Sequence, residues 1–86
     1  MDTTAQAEVR ARVQEIVASL APAADATPTP DAALVADLGY HSLALLELAF
    51  ALEDEYGLPP LSEEVAQSIR TVADIEDYVV STLAAR

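Results

Sequence analysis

The stretch DLGYHSLALLEL at residues 37–48 decides the fold. A turn containing a glycine leads into Ser42, and the serine opens an apolar run that stops at Gly57. The run has helical periodicity, and a glycine commonly ends a helix in a left-handed conformation. We therefore predict a central helix over residues 42–56 that begins at an accessible hydroxyl.

Two apolar faces are expected on the central helix. At about 100° per residue, one face carries the predicted core contacts Leu45, Leu48, Ala49, Leu52 and Tyr56. The second face carries Leu43, Leu46 and Phe50, with acidic residues beside it. A helix that is apolar on two sides is either largely buried or offers one side to a partner or ligand. Both interpretations of the second face stay open.

The first helix is expected over residues 4–20, with Thr3 and Gln6 forming a capping box. Its apolar stripe consists of Val9, Val13, Ile16, Val17 and Leu20. The polar residues expected to face away from the core are Arg10, Arg12, Gln14 and Glu15.

A long connection follows over residues 21–41, because its three prolines prevent a regular helix. A turn of helix is expected late in it, anchored by Leu34 and Val35. Leu38 is expected to enter the core, and Gly39 to adopt a backbone angle that other residues avoid. Loops of this length are often functional, although a plain crossover between helices is an equal alternative for residues 21–33.

Two helices are predicted after Gly57. A short one spans residues 62–67 with Ser62 as its cap, and the last spans residues 71–84 behind a Thr71–Asp74 capping box. The predicted fold class is all-α, a four-helix bundle with three long helices, one short helix and a long first loop. Residues 1–86 are expected to form a single domain.

Composition excludes several classes of function. The net charge is −11, with 15 acids and four arginines and no lysine, so nucleic acids and anionic membranes are poor partners. With no cysteine and one histidine, disulfides are excluded and a zinc site is not expected. No signal peptide or membrane span is apparent, so the expected location is the cytoplasm, for a monomer that meets basic protein surfaces.

Ser42 invites three interpretations. It can be an ordinary helix cap, which is the commoner fate of such a serine. As a catalytic nucleophile it is poorly equipped, because His41 is its sequence neighbour and no second histidine is available as a base. As the carrier of a phosphodiester it is well placed, because a helix N-terminus favours negative groups. The neighbouring acids are either a solvated face or, less plausibly, a calcium site without an EF-hand pattern.

These residues resemble the acyl carrier proteins of fatty acid and polyketide synthesis. The resemblance rests on residues 37–43 and 47–57 and extends over about residues 34–80. It implies a non-catalytic carrier whose Ser42 is attached to 4′-phosphopantetheine, donated by coenzyme A through a phosphopantetheinyl transferase. The thiol of that arm holds growing acyl or polyketide chains as thioesters for ketosynthase, acyltransferase, ketoreductase and dehydratase enzymes.

The resemblance also implies roles for the second face of the central helix. Partner contacts are expected from Leu43, Glu47, Phe50, Glu53 and Asp54. Leu46 is expected to contact the acyl chain. Two positions depart from the family pattern: His41 replaces the usual aspartate before the serine, and Ala44 replaces a common acid two residues after it.

Two alternatives accompany the acyl carrier. A peptidyl or aryl carrier would use the same attachment chemistry with a different cargo. An acidic helical adaptor would use the same surface without a cofactor. The absence of lysine and the extra apolar residues of the central helix favour a polyketide-type carrier over one of fatty acid synthesis.

Overall fold

The computed structural model describes residues 2–23 and 27–85. It contains four helices, each within one residue of its predicted bounds: α1 (Thr3–Leu20), α2 (Ser42–Tyr56), α3 (Glu63–Ser68) and α4 (Val72–Ala84). In these two ranges there is no β-strand, only a single antiparallel bridge between Ala33 and Thr71. The predicted all-α fold with three long helices and one short helix is confirmed.

Local chemistry explains where the helices begin and end. Gly57 ends α2 with a left-handed φ of 62°, and Ser62 caps α3 by accepting a hydrogen bond from the Val65 N–H. The capping box of Thr71 and Asp74 is present with both of its hydrogen bonds. The cap of α1 was predicted one residue too late. Asp2 is the N-cap, and its carboxylate accepts from the Ala5 N–H at 2.7 Å.

The core joins one face of each long helix with residues of the long connection. Leu38 is buried there as predicted, and Leu34 is buried beside it. The expected helical turn is a series of hydrogen-bonded turns instead, and its second anchor was wrong, since Val35 is 64% exposed. The buried apolar residues of the helices are Val13, Ile16, Val17, Ala44, Leu48, Leu52, Val72, Ile75, Val79 and Val80.

A polar network crosses the interface between α1 and α4. Glu76 is only 2% exposed, and its carboxylate accepts from Arg10 at 3.3 Å and from the Gln14 amide at 3.0 Å. Arg10 also pairs with Asp77 at 2.8 Å. The prediction that Arg10 and Gln14 face away from the protein is therefore wrong. They satisfy an acid that α4 places in the interior.

Backbone hydrogen bonds fasten the long connection to the start of α4. The Leu34 N–H donates to the Arg70 carbonyl at 3.0 Å, and the Val72 N–H donates to the Ala32 carbonyl at 3.1 Å. The Tyr40 N–H donates to the Leu34 carbonyl at 2.9 Å. The segment that leads into α2 is thereby fixed by residues from the far end of the chain.

Tyr40 anchors the same segment to α1. Its hydroxyl donates to the Val17 carbonyl at 2.7 Å, and its side chain is among the most deeply buried. Burial raises the pKa of the Tyr40 phenol to about 12, because the charged form loses its hydration. Ser42 lies two residues further on, so its position depends on this anchor.

None of the helices in the described ranges is long and apolar enough to cross a membrane.

Candidate functional site

Ser42 is the first residue of α2, and its side chain is exposed. The cap of the helix is His41, whose Nδ1 accepts from the Ala44 N–H at 3.4 Å. The interpretation of Ser42 as an ordinary cap is therefore wrong, because the preceding imidazole fills that role. The serine hydroxyl is left accessible at the positive end of the helix dipole. The first turn of α2 carries no acid, so no carboxylate there opposes an attached anion.

The turn before α2 requires its glycine. Gly39 has a φ of 75°, a conformation that residues with a Cβ rarely adopt. A Cβ at this position would also lie 3.2 Å from the Ala23 nitrogen. The close approach brings the end of the connection against its beginning, where the Ala23 N–H donates to the Leu38 carbonyl at 3.1 Å. The predicted left-handed conformation of Gly39 is confirmed, and this turn leads directly into α2.

A cavity of about 440 Å³ opens beside Ser42. This volume lies within the range of small-molecule pockets, roughly 300–1,000 Å³. Its walls come from α2, α3, α4, the two connections that flank α3 and Leu34 of the long connection, and they are almost wholly apolar. Among the side chains that line it are Ser42, Leu46, Phe50, Leu61, Ala66, Ile69, Ile75 and Tyr78. An aliphatic group tethered at Ser42 would find an apolar environment within reach.

The second face of α2 is exposed. Leu43 is 61%, Leu46 51% and Phe50 59% exposed, so the alternative in which these side chains pack under the loop and α3 is excluded for this structure. Single exposed apolar residues are common, but three on one helix face form a patch that needs an explanation. Leu46 and Phe50 also line the cavity, whereas Leu43 does not.

Acidic side chains surround this patch as predicted. Glu47 and Asp54 are exposed, and Glu53 is half-buried and lines the cavity. Ala44 does not belong to this surface, because it is 5% exposed and packs in the core. The buried face of α2 is thus turned slightly from its predicted position, with Ala44 fully buried and Leu45 and Ala49 only partly so.

Sequence reasoning missed the cavity residues contributed by other elements. Leu61, Ile69 and Tyr78 line the cavity and were not assigned to any site. Their only signal in the sequence was apolar character close to the short helix. Within the described ranges, no group of three or more histidine, cysteine or acidic residues is arranged to hold a metal ion.

A comparison with protein families decides how this geometry is interpreted. The family model described as a phosphopantetheine attachment site matches residues 11–79, most of the chain. The chain belongs to the phosphopantetheine-binding family. This confirms the resemblance to acyl carrier proteins. Its cofactor is 4′-phosphopantetheine, held covalently.

Membership of the phosphopantetheine-binding family has consequences for function. Carrier domains of this kind are generally non-catalytic, and they interact with phosphopantetheinyl transferases and with synthase enzymes. The local structure at Ser42 fits the cofactor: an exposed hydroxyl, a helix whose first turn carries no acid, and an apolar cavity alongside. The match also favours a carrier over an adaptor that lacks a cofactor.

Proposed function

We propose that this protein is an acyl carrier whose phosphopantetheine arm is attached to Ser42. The observation that carries the proposal is the position of the Ser42 side chain, exposed at the first residue of α2 and lining the apolar cavity. When bound, the arm supplies a thiol that holds an acyl group as a thioester. The protein supplies the rest: a fixed attachment point, a favourable site for the phosphodiester and a shelter for the cargo.

The helix start contributes the electrostatic part of this function. The first backbone N–H groups of a helix have no intrahelical acceptors and point toward an anion at the N-terminus. His41 uses one of them, that of Ala44, and leaves Ser42 at the rim. The positive end of the dipole therefore faces the position that the phosphodiester would occupy.

The cavity supports an acyl cargo over an aminoacyl one. Its lining is apolar except for Ser42, Glu53 and Tyr78, so a charged ammonium group would lose hydration there with little in return. Leu46 lies at the boundary between the cavity and the exposed face, which suits contact with an acyl chain. A growing fatty or polyketide chain fits these walls better than an amino acid or peptide.

Attachment is tested with matched serine variants. The full-length protein is incubated with coenzyme A and a broad-specificity transferase, and its mass is measured. Wild type should gain one phosphopantetheine, and Ser42→Ala should gain none while keeping its helical circular dichroism. Ser62→Ala is the control, because Ser62 is also exposed at a helix start but uses its hydroxyl to cap α3. A phosphopantetheine mass on Ser42→Ala would contradict the assignment of Ser42 as the attachment site.

We also propose that partner enzymes dock on the exposed face of α2. Leu43 and Phe50 are the apolar contacts, and Glu47, Glu53 and Asp54 form an acidic rim around them. Apolar anchors inside a polar rim are the usual anatomy of an interface. The partners proposed are a transferase, ketosynthase, acyltransferase and ketoreductase or dehydratase enzymes with basic docking surfaces.

Salt dependence tests the docking proposal. Rim charges act mainly on the association rate, and salt screens them beyond roughly 8 Å near physiological ionic strength. Association with a ketosynthase should slow as salt rises, and Glu47→Arg should flatten that dependence. Glu8→Arg, an equal charge change at an exposed position of α1, is the control. A wild-type association rate that does not change with salt concentration would contradict the proposal.

A further inference from the structure

His41 is the only histidine in the sequence, and its exposed side chain belongs to the residue directly before Ser42. It is the N-cap of α2 and has an extended backbone, with φ −122° and ψ 177°. From this position its Nδ1 accepts a hydrogen bond from the Ala44 N–H. The other ring nitrogen, Nε2, has no hydrogen-bond partner among residues 2–23 and 27–85.

The capping hydrogen bond decides where the ring carries its proton. A neutral imidazole has one nitrogen that accepts and one that donates. Because Nδ1 accepts from Ala44, the proton of the neutral ring is on Nε2, in a side chain that is exposed to solvent. His41 is therefore a cap and a hydrogen-bond donor at the same time. An aspartate cap would offer acceptors only.

The charges around His41 leave this donor available to an anion. The first turn of α2 carries no acid, and Glu47 follows Ser42 by more than one turn of the helix. Asp37, in the turn before His41, already accepts from the Ala33 N–H at 2.7 Å. Within the described part of the chain His41 forms no ion pair. The Nε2–H group is thus free for an acceptor attached at the next residue.

We propose that His41 holds the phosphodiester of the arm through its Nε2–H while its Nδ1 caps α2. The inference rests on the proposed function, because the phosphodiester is present only when the arm is attached to Ser42. The two side chains need not face each other for this contact, since the phosphate oxygens extend two bonds beyond the serine oxygen. A hydrogen bond to such a charged acceptor is stronger than one between neutral groups.

The contact gives a chemical meaning to a departure from the family pattern. An aspartate before the serine would place a negative charge beside the phosphodiester and repel it. The imidazole caps the helix equally and adds a donor instead. His41 is therefore expected to restrain the arm at its root, near the first turn of α2, where a carboxylate would push it away.

Nitrogen-15 magnetic resonance of the full-length protein tests the contact directly, because one histidine gives one pair of ring-nitrogen signals. Spectra are compared between the protein without an arm and the protein with an unacylated arm, at about pH 8.5, where an imidazole is neutral. The proton should be on Nε2 in both forms. Attachment of the arm should shift the Nε2 signal and leave the Nδ1 signal in place. The shift should persist in about 1 M salt, which screens electrostatic effects beyond roughly 3 Å.

Thermal unfolding gives the energetic test, with the rise in midpoint on attachment of the arm as the measured quantity. His41→Asn keeps a neutral cap, but its side chain ends before the position of Nε2. Its midpoint without the arm should stay near that of wild type, and its rise should be smaller than that of wild type by roughly 2–5 °C. His41→Asp also caps α2 but carries a negative charge, so its rise should be the smallest.

Ser62→Asp is the matched control for charge. It also places an aspartate at an N-cap, but at the start of α3, which follows the far end of α2. Its rise on attachment of the arm should equal that of wild type. A smaller rise in His41→Asp than in Ser62→Asp then reports the position of the charge and not the charge alone.

Two results would overturn the contact: an Nε2 signal that does not respond to the arm, or an equal rise in midpoint for wild type and His41→Asn. The magnetic resonance measurement needs no variant, so it decides the question even if a substitution at position 41 unfolds the protein. A wild-type protein that takes up no phosphopantetheine mass would instead overturn the assignment of Ser42, on which the contact rests.

Discussion

Two sides of this bundle are built differently. On the packed side, α1, α4, the long connection and the buried face of α2 share the apolar core, and the Glu76 network and backbone hydrogen bonds add to it. On the open side, the exposed face of α2 and the short helix α3 border a cavity, and α3 contributes no buried residue. The packed side therefore supplies stability, and the open side carries the surfaces proposed for cargo and partners.

The two sides differ because they have different physical requirements. A side chain that must meet a partner or an acyl chain cannot also fill the core, so apolar area on the open side contributes little to the folded state of the protein alone. The packed side must then supply most of the free energy of folding. Substitutions of the same type should therefore have different effects on the two sides.

Two leucines of α2 provide the sharpest test and the largest expected effect. Leu48→Ala removes a side chain that is 2% exposed and should cost roughly 2–5 kcal/mol of unfolding free energy. Leu43→Ala removes one that is 61% exposed and should cost less than about 1 kcal/mol. Urea unfolding measures both.

Leu43→Ala should affect function more than stability. Leu43→Ala should still accept phosphopantetheine but be elongated more slowly by a partner ketosynthase, since the docking contact is lost. Two results would contradict the division between the two sides. One is elongation of Leu43→Ala at the wild-type rate, and the other is a loss of unfolding free energy in Leu43→Ala as large as that in Leu48→Ala.

Arg10→Met tests the polar part of the packed side. It leaves the Glu76 carboxylate buried with Gln14 alone, and removal of one partner of a buried pair is strongly destabilising. Because the Arg10 side chain is one-third exposed, we expect a loss of about 2–3 kcal/mol in chemical unfolding, below the full range for such pairs. The double variant Arg10→Met/Glu76→Gln should recover part of it, and Asp77→Ala should cost little. A neutral Arg10→Met would show that the network contributes no stability.

Alkaline pH should lower the free energy of unfolding through ionisation of Tyr40. Its pKa of about 12 in the folded state exceeds the ordinary value near 10, so the unfolded state releases its proton first. The stability linked to this group is fully present below about pH 10 and is lost as the pH rises through 12, by roughly 3 kcal/mol at most. Unfolding free energies between pH 9 and 12 measure the loss. Tyr40→Phe should be less stable at neutral pH but show a shallower decline, and an equal slope in both proteins would contradict this account.

The sequence was sufficient where structure is decided by neighbours in the chain. The capping box at Thr71, the glycine stop at position 57 and the apolar stripe of α1 depend on residues a few positions apart, and these were predicted correctly. The stripe of α2 was predicted with a slight rotation, since Ala44 is buried and Leu45 and Ala49 are only partly so. The exception at the start of α1 arose because Asp2 and Thr3 are both good caps, and sequence alone does not rank two adjacent candidates.

The sequence was insufficient where distant segments meet. Glu76 has the appearance of a solvated helix residue, and only the approach of α1 shows that Arg10 and Gln14 surround it. Val35 has the appearance of an anchor, and only the path of the connection shows that it faces outward. The cavity was not predictable for the same reason, because its volume depends on how far α3 stands from α2.

The backbone contacts that fix the approach to α2 have a consequence for the timing of folding. The Leu34 N–H and the Ala32 carbonyl pair with the Arg70 carbonyl and the Val72 N–H, which belong to the opposite half of the chain. Contacts between distant residues form later than the local turns of a helix, because a large loop must first be closed. A ribosome-bound chain that has not yet released α4 therefore lacks the frame that positions Ser42. Ser42, the proposed attachment residue, should therefore become a well-ordered substrate only after synthesis of the domain is nearly complete.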